Sequence, residues 1–265
     1  MELKQKEEIL NEILRGMKSV LVAFSGGVDS SFLAFKAREI LGENMKAVIL
    51  KLSAFPQHEF EGGVDLAKNH DIPLIQLKFN ELDSVEVVNN PKDRCYFCKL
   101  TIYDQLEKVA EEHGLKYICN GDNLDDDKFY RPGEKAGRER GIRTPLKEAG
   151  LTKNDIRELS RKYYLKTWNM PSSPCLATRI PYGESLSEEK FEMINNAEIY
   201  LKKIGIEIVR VRLQNKSGRI EVLKKDFPII IDNKDVIIEK AKELGFDFIT
   251  LDLEGYRSGC YDNKS

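Results

Sequence analysis

Residues 20–31 read VLVAFSGGVDSS, the clearest indication of the fold in the chain. It joins an apolar run over residues 19–24 to a helix that is predicted from about Ser30 to Leu41. The adjacent glycines, Gly26 and Gly27, allow backbone angles that other residues resist and let main-chain N–H groups approach an oxyanion closely. Because a helix start adds the positive end of its dipole, the stretch predicts a strand, a loop and a helix that cradle a pyrophosphate group.

The side chains of this loop supply further groups for a nucleotide. Ser25, Ser30 and Ser31 offer hydroxyls to phosphate oxygens. Asp29 is a candidate carboxylate for the Mg²⁺ that neutralises the phosphates. A second candidate is an acidic run after the fourth predicted strand, consisting of Asp122, Asp125, Asp126 and Asp127. The alternative for that run is a solvated loop. Neither the G-x-x-x-x-G-K-[ST] pattern nor the G-x-G-x-x-G pattern describes residues 25–31.

Apolar runs and amphipathic helices alternate outward from this loop. Strands are predicted at residues 47–52, 74–79 and 117–120, with helices around residues 59–69 and 100–113. Continuous apolar strands separated by amphipathic helices indicate a parallel sheet that is covered on both faces. Ligands bind at the carboxyl ends of such strands, so the loops that follow the strands are expected to face one shared site.

The pattern changes after a helix that begins with a capping box at Thr152 and Asp155. Residues 169–184 are rich in proline and serine, which is typical of a loop. Beyond Ser185 the predicted order is helix, strand, strand, helix, strand. We therefore expect an α/β domain over residues 1–168, a cysteine-bearing linker over 169–184 and a smaller α+β domain over 185–265.

Composition excludes several classes of protein. The chain has 265 residues, with 42 Lys and Arg against 44 Asp and Glu, a net charge of −2 that argues against a protein built to coat nucleic acid. No apolar run approaches the roughly 20 residues of a membrane helix, and the charged start MELKQKEEIL has no signal core. We expect a cytoplasmic protein without membrane or nucleic-acid partners.

The 5 cysteines form no evident disulfide framework, and three of them suggest a metal or redox site. Cys95 and Cys98 form a C-x-x-C unit just before a predicted helix, and Cys175 lies in the linker. Structural zinc needs four ligands, and the histidines show no ligand spacing, so three thiolates favour a [4Fe–4S] cluster with one open iron. The alternative is a thioredoxin-type dithiol, which leaves Cys175 unused. For Cys119 and Cys260 we expect packing or a stray thiol.

Five stretches together resemble one family. They are SGGVDSS at 25–31, NGDNLDD at 120–126 with YRPG at 130–133, PCLATRIPYG at 174–183, VRVR at 209–212 and GYRSG at 255–259. The chain is similar over nearly its whole length to LarE, a family of ATP-dependent sulfur transferases (pyridinium-3,5-bisthiocarboxylic acid mononucleotide synthases) in the PP-loop ATP pyrophosphatase superfamily. The resemblance implies a PP-loop domain of the adenine nucleotide alpha hydrolase type.

The resemblance also implies an activity. Carboxylates of a pyridinium mononucleotide are adenylated with release of AMP and pyrophosphate, and then become thiocarboxylates of the nickel-pincer nucleotide used by lactate racemase. Members with a single cysteine at the Cys175 position give up its sulfur and keep dehydroalanine. The additional Cys95 and Cys98 are similar to a three-cysteine variant in which a [4Fe–4S] cluster carries the sulfide. Expected partners are the mononucleotide and either sulfide or a sulfur-donor protein, and a homo-oligomer is expected.

Site residues follow partly from the resemblance and partly from position. Arg210 and Arg212 are two apart on a predicted strand, so both guanidinium groups point to one face, which suits a phosphate or carboxylate. The nucleotide is expected to be held by Ser25, Gly26, Gly27, Asp29, Ser30, Ser31 and Gly121, and the candidates for contacts with its phosphates are Arg131 and Arg179, which lie beside motif glycines and prolines. The resemblance assigns Arg210, Arg212 and Arg257 to the substrate phosphate and implies that Glu198 and Asp226 lie near the substrate pocket. The predicted catalytic residues are Cys175, Asp29 and Glu198, and the predicted cluster ligands are Cys95, Cys98 and Cys175. On the sequence alone, Glu198 and Asp226 are expected to be exposed acids.

Two other functions use the same features. A tRNA thiolation enzyme has the same loop and often three cysteines, but no basic, aromatic-interleaved RNA module is present here. A nucleotide-sensing or iron–sulfur carrier protein would bind ATP without releasing pyrophosphate.

Overall fold

A computed structural model describes residues 1–128, 132–171 and 173–257. The chain forms two compact units. The first unit contains residues 1–81 and 93–173, and the second contains residues 82–92 and the chain from Pro174 onward. The sequence predicts residues 82–92 in the first domain, whereas in the structure they cluster with the second unit.

The strands follow the predicted order. They are β1 (Val20–Ala23), β2 (Met45–Lys51), β3 (Leu74–Lys78), β4 (Tyr117–Cys119), β5 (Val209–Gln214), β6 (Ser217–Val222) and β7 (Phe248–Leu251). The helices are α1 (Leu3–Met17), α2 (Val28–Leu41), α3 (Gln57–Asn69), α4 (Val85–Val88), α5 (Arg94–Glu112), α6 (Pro132–Glu139), α7 (Pro145–Glu148), α8 (Lys153–Lys162), α9 (Glu188–Lys203), α10 (Phe227–Asp232) and α11 (Lys234–Glu243). Within the described ranges, no helix is both long and apolar enough to cross a membrane.

A four-stranded sheet with the order β3-β2-β1-β4 forms the centre of the first unit. All of its pairings are parallel, which confirms the predicted α/β class. Val20 and Val22 belong to the core on one face of β1, and Leu21 belongs to the core on the other face. Because both faces are buried, the strand reads as a continuous apolar run rather than an alternating one.

A buried ionic network joins three helices of the first unit. The carboxylate of Glu7 on α1 accepts hydrogen bonds from Lys36 on α2, Lys162 on α8 and the Tyr163 hydroxyl. Burial alone would raise the pKa of Glu7, but the hydrogen bonds from Lys162 and Tyr163 and the charge of Lys36 outweigh it and lower the pKa below 4.5. The network therefore stabilises the contact of α1 with the helix that follows the glycine loop.

Two helix starts test the sequence-based expectations. The capping box of α8 is confirmed, since the Asp155 amide donates to Thr152 Oγ1 (3.2 Å) and the Thr152 amide donates to Asp155 Oδ2 (2.9 Å). Helix α5 begins at Arg94 rather than near Leu100, so the C-x-x-C unit lies within the helix and not before it. The reason is that no proline or glycine follows Pro91 until Gly114 to stop the helix.

The second unit contains a small three-stranded sheet with the order β5-β6-β7. Strands β5 and β6 are antiparallel, and β6 and β7 are parallel, with α10 and α11 forming the crossover. Helix α9 packs on β5 through Phe191 and Ile194, which are fully buried with Val209 and Val211. The predicted α+β order is confirmed, with α10 added before α11.

Candidate active site

The loop of residues 25–27 lies between β1 and α2, and its shape requires glycine. Gly26 has a φ of +74°, and a Cβ there would lie 3.0 Å from the Cα of Gly63 on α3. A side chain at Gly26 would therefore strain the backbone and push α3 away. Gly63 was missed from the sequence, although the pair Gly62-Gly63 inside a helical pattern was an available sign of a close backbone approach.

The loop is held in place by its own hydroxyls. Ser30 Oγ accepts from the Ser25 amide (3.1 Å) and donates to Gly27 O (3.3 Å), and the Ser25 and Ser30 hydroxyl oxygens are 3.0 Å apart. Ser31 is fully buried, and its hydroxyl has no hydrogen-bond partner in the part of the chain that the structure describes. The loop is thus ordered with Gly27 at the start of α2, where unsatisfied main-chain donors favour an anion.

Asp29, in the first turn of α2, forms an ion pair with a residue that the sequence did not indicate. Lys153 Nζ, from the first residue of α8, lies 2.6 Å from Asp29 Oδ2. Oδ1 of Asp29 is buried without a hydrogen-bond partner among the described residues. An orphaned carboxylate oxygen beside a phosphate cradle fits a Mg²⁺ ligand, because Mg²⁺ prefers oxygen donors. Lys153 was missed because 124 residues separate it from Asp29.

The loop after β4 reaches the same place, as expected for neighbouring parallel strands. A Cβ on Gly121 would lie 2.8 Å from the Ser30 amide nitrogen, so this loop contacts the first turn of α2 directly. Asp122 accepts from Asn120 Nδ2 (2.8 Å), which shapes the loop.

The other acids of the run also take part in loop and helix contacts. Asp126 accepts from the Asn123 amide (2.9 Å), and Asp125 accepts from the backbone amide of Lys153 (2.9 Å). These contacts give the run a structural role in the loop. The Asp127 side chain and Arg131 lie outside the described residues.

Cys95 and Cys98 lie at the start of α5 and are both partly buried. The buried Arg94 guanidinium donates to Cys95 Sγ at 3.7 Å. The pKa of Lys99 is raised, first by Tyr103, then by Asp122 and the two cysteines. Two cysteines one helical turn apart fit the ligation of a metal cluster, because cysteine sulfur is the ligand that iron–sulfur clusters use.

In the second unit, Arg179 connects the Cys175 loop to α9. Its Nε and Nη2 donate to the two oxygens of Glu198 at 3.0 and 3.2 Å, and its Nη1 donates to the carbonyls of Pro174 (2.6 Å) and Cys175 (3.1 Å). The Val211 amide also donates to Glu198 Oε1 (3.0 Å). The expectation that Glu198 is exposed is wrong: it is 5% exposed, because three donors satisfy a carboxylate that faces the core of the unit.

The two arginines of β5 differ in their partners. Arg212 donates through Nε and Nη2 to Glu221 Oε2 (3.0 and 2.9 Å) and through Nη1 to the Thr178 carbonyl (2.8 Å). Arg210 donates to the Val209 carbonyl (2.8 Å) and lies 5.6 Å from the centre of the Tyr256 ring.

Burial lowers the pKa of Arg210, and the charge of Arg179 lowers it further. Burial is the largest cause, and the charges of Arg179 and Arg212 act against the protonated guanidinium while Glu198 supports it. Such surroundings favour the binding of an anion.

The remaining predicted substrate residues are less closely connected to this group. Asp226 is 8% exposed, so its expected exposure is also wrong; it is the last residue of a 3-10 turn that leads directly into α10. Arg257 is half-exposed and pairs with Glu254 (2.6 Å) and Asp252 (3.6 Å). Arg257 is thus an accessible cation, whereas Arg210 is a buried one.

The cysteines divide between the two units. Cys95 and Cys98 belong to the first unit and Cys175 to the second. Among the residues that the structure describes, no group of three or more His, Cys, Asp or Glu side chains is gathered to hold a metal ion. Cys119 is fully buried, and burial raises the pKa of its thiol to about 12, so the packing role expected for it is confirmed. Cys260 lies outside the described residues.

A parallel sheet with a glycine loop between β1 and α2 defines a PP-loop α/β protein, a class that binds ATP through its phosphates. The family model described as NAD synthase matches residues 3–94. An uncharacterized protein of Synechocystis sp. is 36% identical over 259 residues, which are 97% of each chain. The pyridinium-3,5-bisthiocarboxylic acid mononucleotide synthase of Lactiplantibacillus plantarum is 33% identical over 258 residues, 97% of this chain and 94% of that protein.

The chain belongs to the LarE family, the pyridinium-3,5-bisthiocarboxylic acid mononucleotide synthases. An uncharacterized protein of Methanocaldococcus jannaschii is more distantly similar, at 29% identity over 241 residues, 91% of this chain and 92% of that protein. Family and loop together make the chain an ATP-using enzyme of the PP-loop type.

Proposed function

We propose that this enzyme adenylates the carboxylates of pyridinium-3,5-biscarboxylic acid mononucleotide and converts them to thiocarboxylates, a step in making the nickel-pincer nucleotide of lactate racemase. One observation carries the proposal: Arg179 donates to the carbonyl of Cys175 and, through Glu198, is linked to the strand that carries Arg210. Arg179 thus belongs both to the loop that carries Cys175 and to the group proposed to bind an anion. An enzyme that transfers sulfur to an anionic substrate needs both of these features.

The first step takes place at the loop of residues 25–27. A carboxylate oxygen of the substrate attacks the α-phosphorus of ATP, the bond from that phosphorus to the bridging oxygen breaks, and pyrophosphate leaves with its electrons. The main-chain donors at Gly26 and Gly27 stabilise the charge that develops on pyrophosphate. Asp29 would hold the Mg²⁺ through its orphaned oxygen, and Lys153 is placed to balance the charge of Asp29.

The substrate phosphate would bind in the second unit. Arg210 is the proposed main ligand, because its buried charge gains most from an anion. Arg212 is proposed to orient the substrate phosphate while its guanidinium stays hydrogen-bonded to Glu221, and Arg257 adds an accessible positive charge. Asp226 matches a position of the family near the substrate pocket, and it is proposed to contact the pyridinium ring.

The sulfur step is proposed to depend on Cys95, Cys98 and Cys175 as ligands of a [4Fe–4S] cluster. When bound, the cluster would supply a sulfide that displaces AMP from the acyl carbon, so that AMP leaves with the carboxylate oxygen. Sulfide or a sulfur-donor protein must replace what is consumed. Glu198 has a positioning part in this step, because it fixes Arg179 and, through it, the backbone of Cys175.

The test is multi-turnover thiolation with anaerobically prepared protein, MgATP, sulfide and the pyridinium mononucleotide. We expect AMP, pyrophosphate and thiocarboxylate in equal amounts, intact Cys175 by mass spectrometry and about one cluster per chain. Cys175→Ser should abolish turnover, and Cys119→Ala serves as the matched control at a buried thiol. Dehydroalanine at Cys175 would mean that the cysteine gives up its own sulfur, and it would refute sulfur transfer from a cluster. ATP binding without pyrophosphate release would refute the enzyme assignment altogether.

Lys153→Met tests the phosphate step separately. Loss of the charge that balances Asp29 should raise KM for ATP about tenfold, a change of roughly 1.4 kcal/mol in binding. Lys6→Met, which removes the comparable 2.6 Å pair with Asp155 at the other side of α8, should leave KM unchanged. Equal KM values for the two variants would mean that Lys153 has only a structural role.

A further inference from the structure

A second residue, Asn90, also holds the Cys175 loop, and it lies far from Arg179 in the sequence. Asn90 is fully buried, and its side-chain Nδ2 donates to the carbonyls of Pro181 (2.8 Å), Glu184 (3.1 Å) and Ile180 (3.5 Å). An amide has two N–H groups, so three carbonyl oxygens around one nitrogen use its full donor capacity. The contact is therefore specific for an amide rather than for any polar side chain.

The backbone at this point adds to the contact. The Gly183 amide donates to the Asn90 carbonyl (2.9 Å), and the Leu186 amide donates to the carbonyl of Val88 (2.9 Å). Asn90 has a φ of +51°, a left-handed conformation that asparagine tolerates better than other side chains do. Residues 82–92 thus form part of the second unit through a short helix and one buried amide.

The position of Asn90 in the sequence gives this contact a role. Five residues after Asn90 the chain reaches Cys95, and six residues before Pro181 it leaves Cys175. We propose that Asn90, which lies five residues before Cys95, is a positioning residue that holds the end of the loop carrying Cys175. Through its carbonyl partners Asn90 fixes the end of the loop, as Arg179 fixes its start. The link to sulfur chemistry rests on the proposed function.

Two variants separate the amide from the backbone conformation. Asn90→Gly keeps the positive φ and removes the donors, and Asn90→Asp keeps the shape but turns acceptor oxygens toward three carbonyls. The matched control is Asn215→Gly, because Asn215 also has a positive φ (+53°) and lies in the same unit, in the turn between β5 and β6.

The first measurement needs no cluster. The rate at which iodoacetamide alkylates Cys175 in metal-free, reduced protein is followed by mass spectrometry. We expect the same rate in the wild type and in Asn215→Gly, and a rate at least about fivefold higher in both Asn90 variants, because a loop released at one end exposes its thiol more. Equal rates in all proteins would overturn the proposal.

The second measurement separates positioning from folding. After anaerobic reconstitution, the Asn90 variants should show an unchanged KM for ATP, a thiolation kcat about tenfold lower and a correspondingly faster loss of the cluster to a chelator, because small displacements of reacting groups are costly. Parallel loss of ATP binding, or of the folded state in both variants, would make Asn90 a general stability residue and refute the proposal. If wild-type protein binds no iron but the alkylation rate of Cys175 depends on Asn90, the cluster part of the proposed function fails and this inference stands.

Discussion

Replacing Glu198 by glutamine gives a sharp test of the arginine group in the second unit. The Glu198 carboxylate accepts two hydrogen bonds from Arg179 and one from the Val211 amide, and the pair of side chains is 2% and 6% exposed. Removing one partner of a buried ion pair costs about 3–5 kcal/mol, because the other charge stays buried without compensation. Glutamine keeps one acceptor oxygen, so we expect a loss near the lower limit.

Glu254→Gln is the matched control. Glu254 pairs with Arg257 at 2.6 Å in the same unit, but these side chains are 70% and 47% exposed, and such pairs contribute less than about 1 kcal/mol. The free energy of unfolding is measured with urea, and native-state hydrogen exchange of the Val211 amide reports the local effect. A loss of about 3 kcal/mol corresponds to roughly 150-fold faster exchange.

Phosphate provides a second arm of this experiment. Glu198→Gln removes the carboxylate that Arg179 binds and leaves an excess of positive charge there, so inorganic phosphate should restore more stability to the variant than to the wild type. Equal losses in Glu198→Gln and Glu254→Gln would refute the conclusion that the buried pair stabilises the Cys175 loop. An identical response to phosphate would refute the excess of positive charge.

Three further predictions concern the first unit. Gly26→Ala should lower ATP affinity in calorimetry more than tenfold and destabilise the protein, whereas Gly42→Ala, with a similar positive φ but open space around it, should cost about 1 kcal/mol of stability and leave ATP binding unchanged. Because the pKa of Glu7 is lowered in the folded state, its stabilisation is present above about pH 4.5 and is lost as the pH falls through the lowered value. Glu7→Gln should therefore weaken the fall of the free energy of unfolding, measured with urea, on the acid side. An unchanged pH dependence would contradict this. Alkylation at about pH 8 should label the other described cysteines and spare Cys119, whose thiol has a pKa of about 12, and rapid labelling of Cys119 would contradict its burial.

The fold was predictable because its signals are local. The apolar run before Gly26 and the capping box at Thr152 each depend on a few neighbouring residues, and the structure confirms both. The partner of Asp29 was not predictable, because Lys153 is remote in the sequence and meets it only after the sheet and α8 are assembled.

The burial of charged residues was also hidden from the sequence. Glu198 looks like an exposed acid on a polar helix until Arg179 and the Val211 amide are placed against it. The two-residue spacing of Arg210 and Arg212 correctly indicated a shared strand, but not that Arg212 uses its fork on Glu221. Periodicity reports which element a residue occupies, whereas pairing depends on what folds onto that element.

Residues 82–92 belong to the second unit, although the chain on both sides of them belongs to the first, and this limits how the protein can be divided. Neither unit is one uninterrupted stretch of chain, so no single cut releases both intact. A fragment ending at Ser173 would keep Asn90 without its carbonyl partners at residues 180–184. A fragment starting at Pro174 would lack the amide that closes its own loop. The second unit therefore cannot be gained or lost as a simple tail, and a fusion or permutation that separates the units must carry residues 82–92 with it.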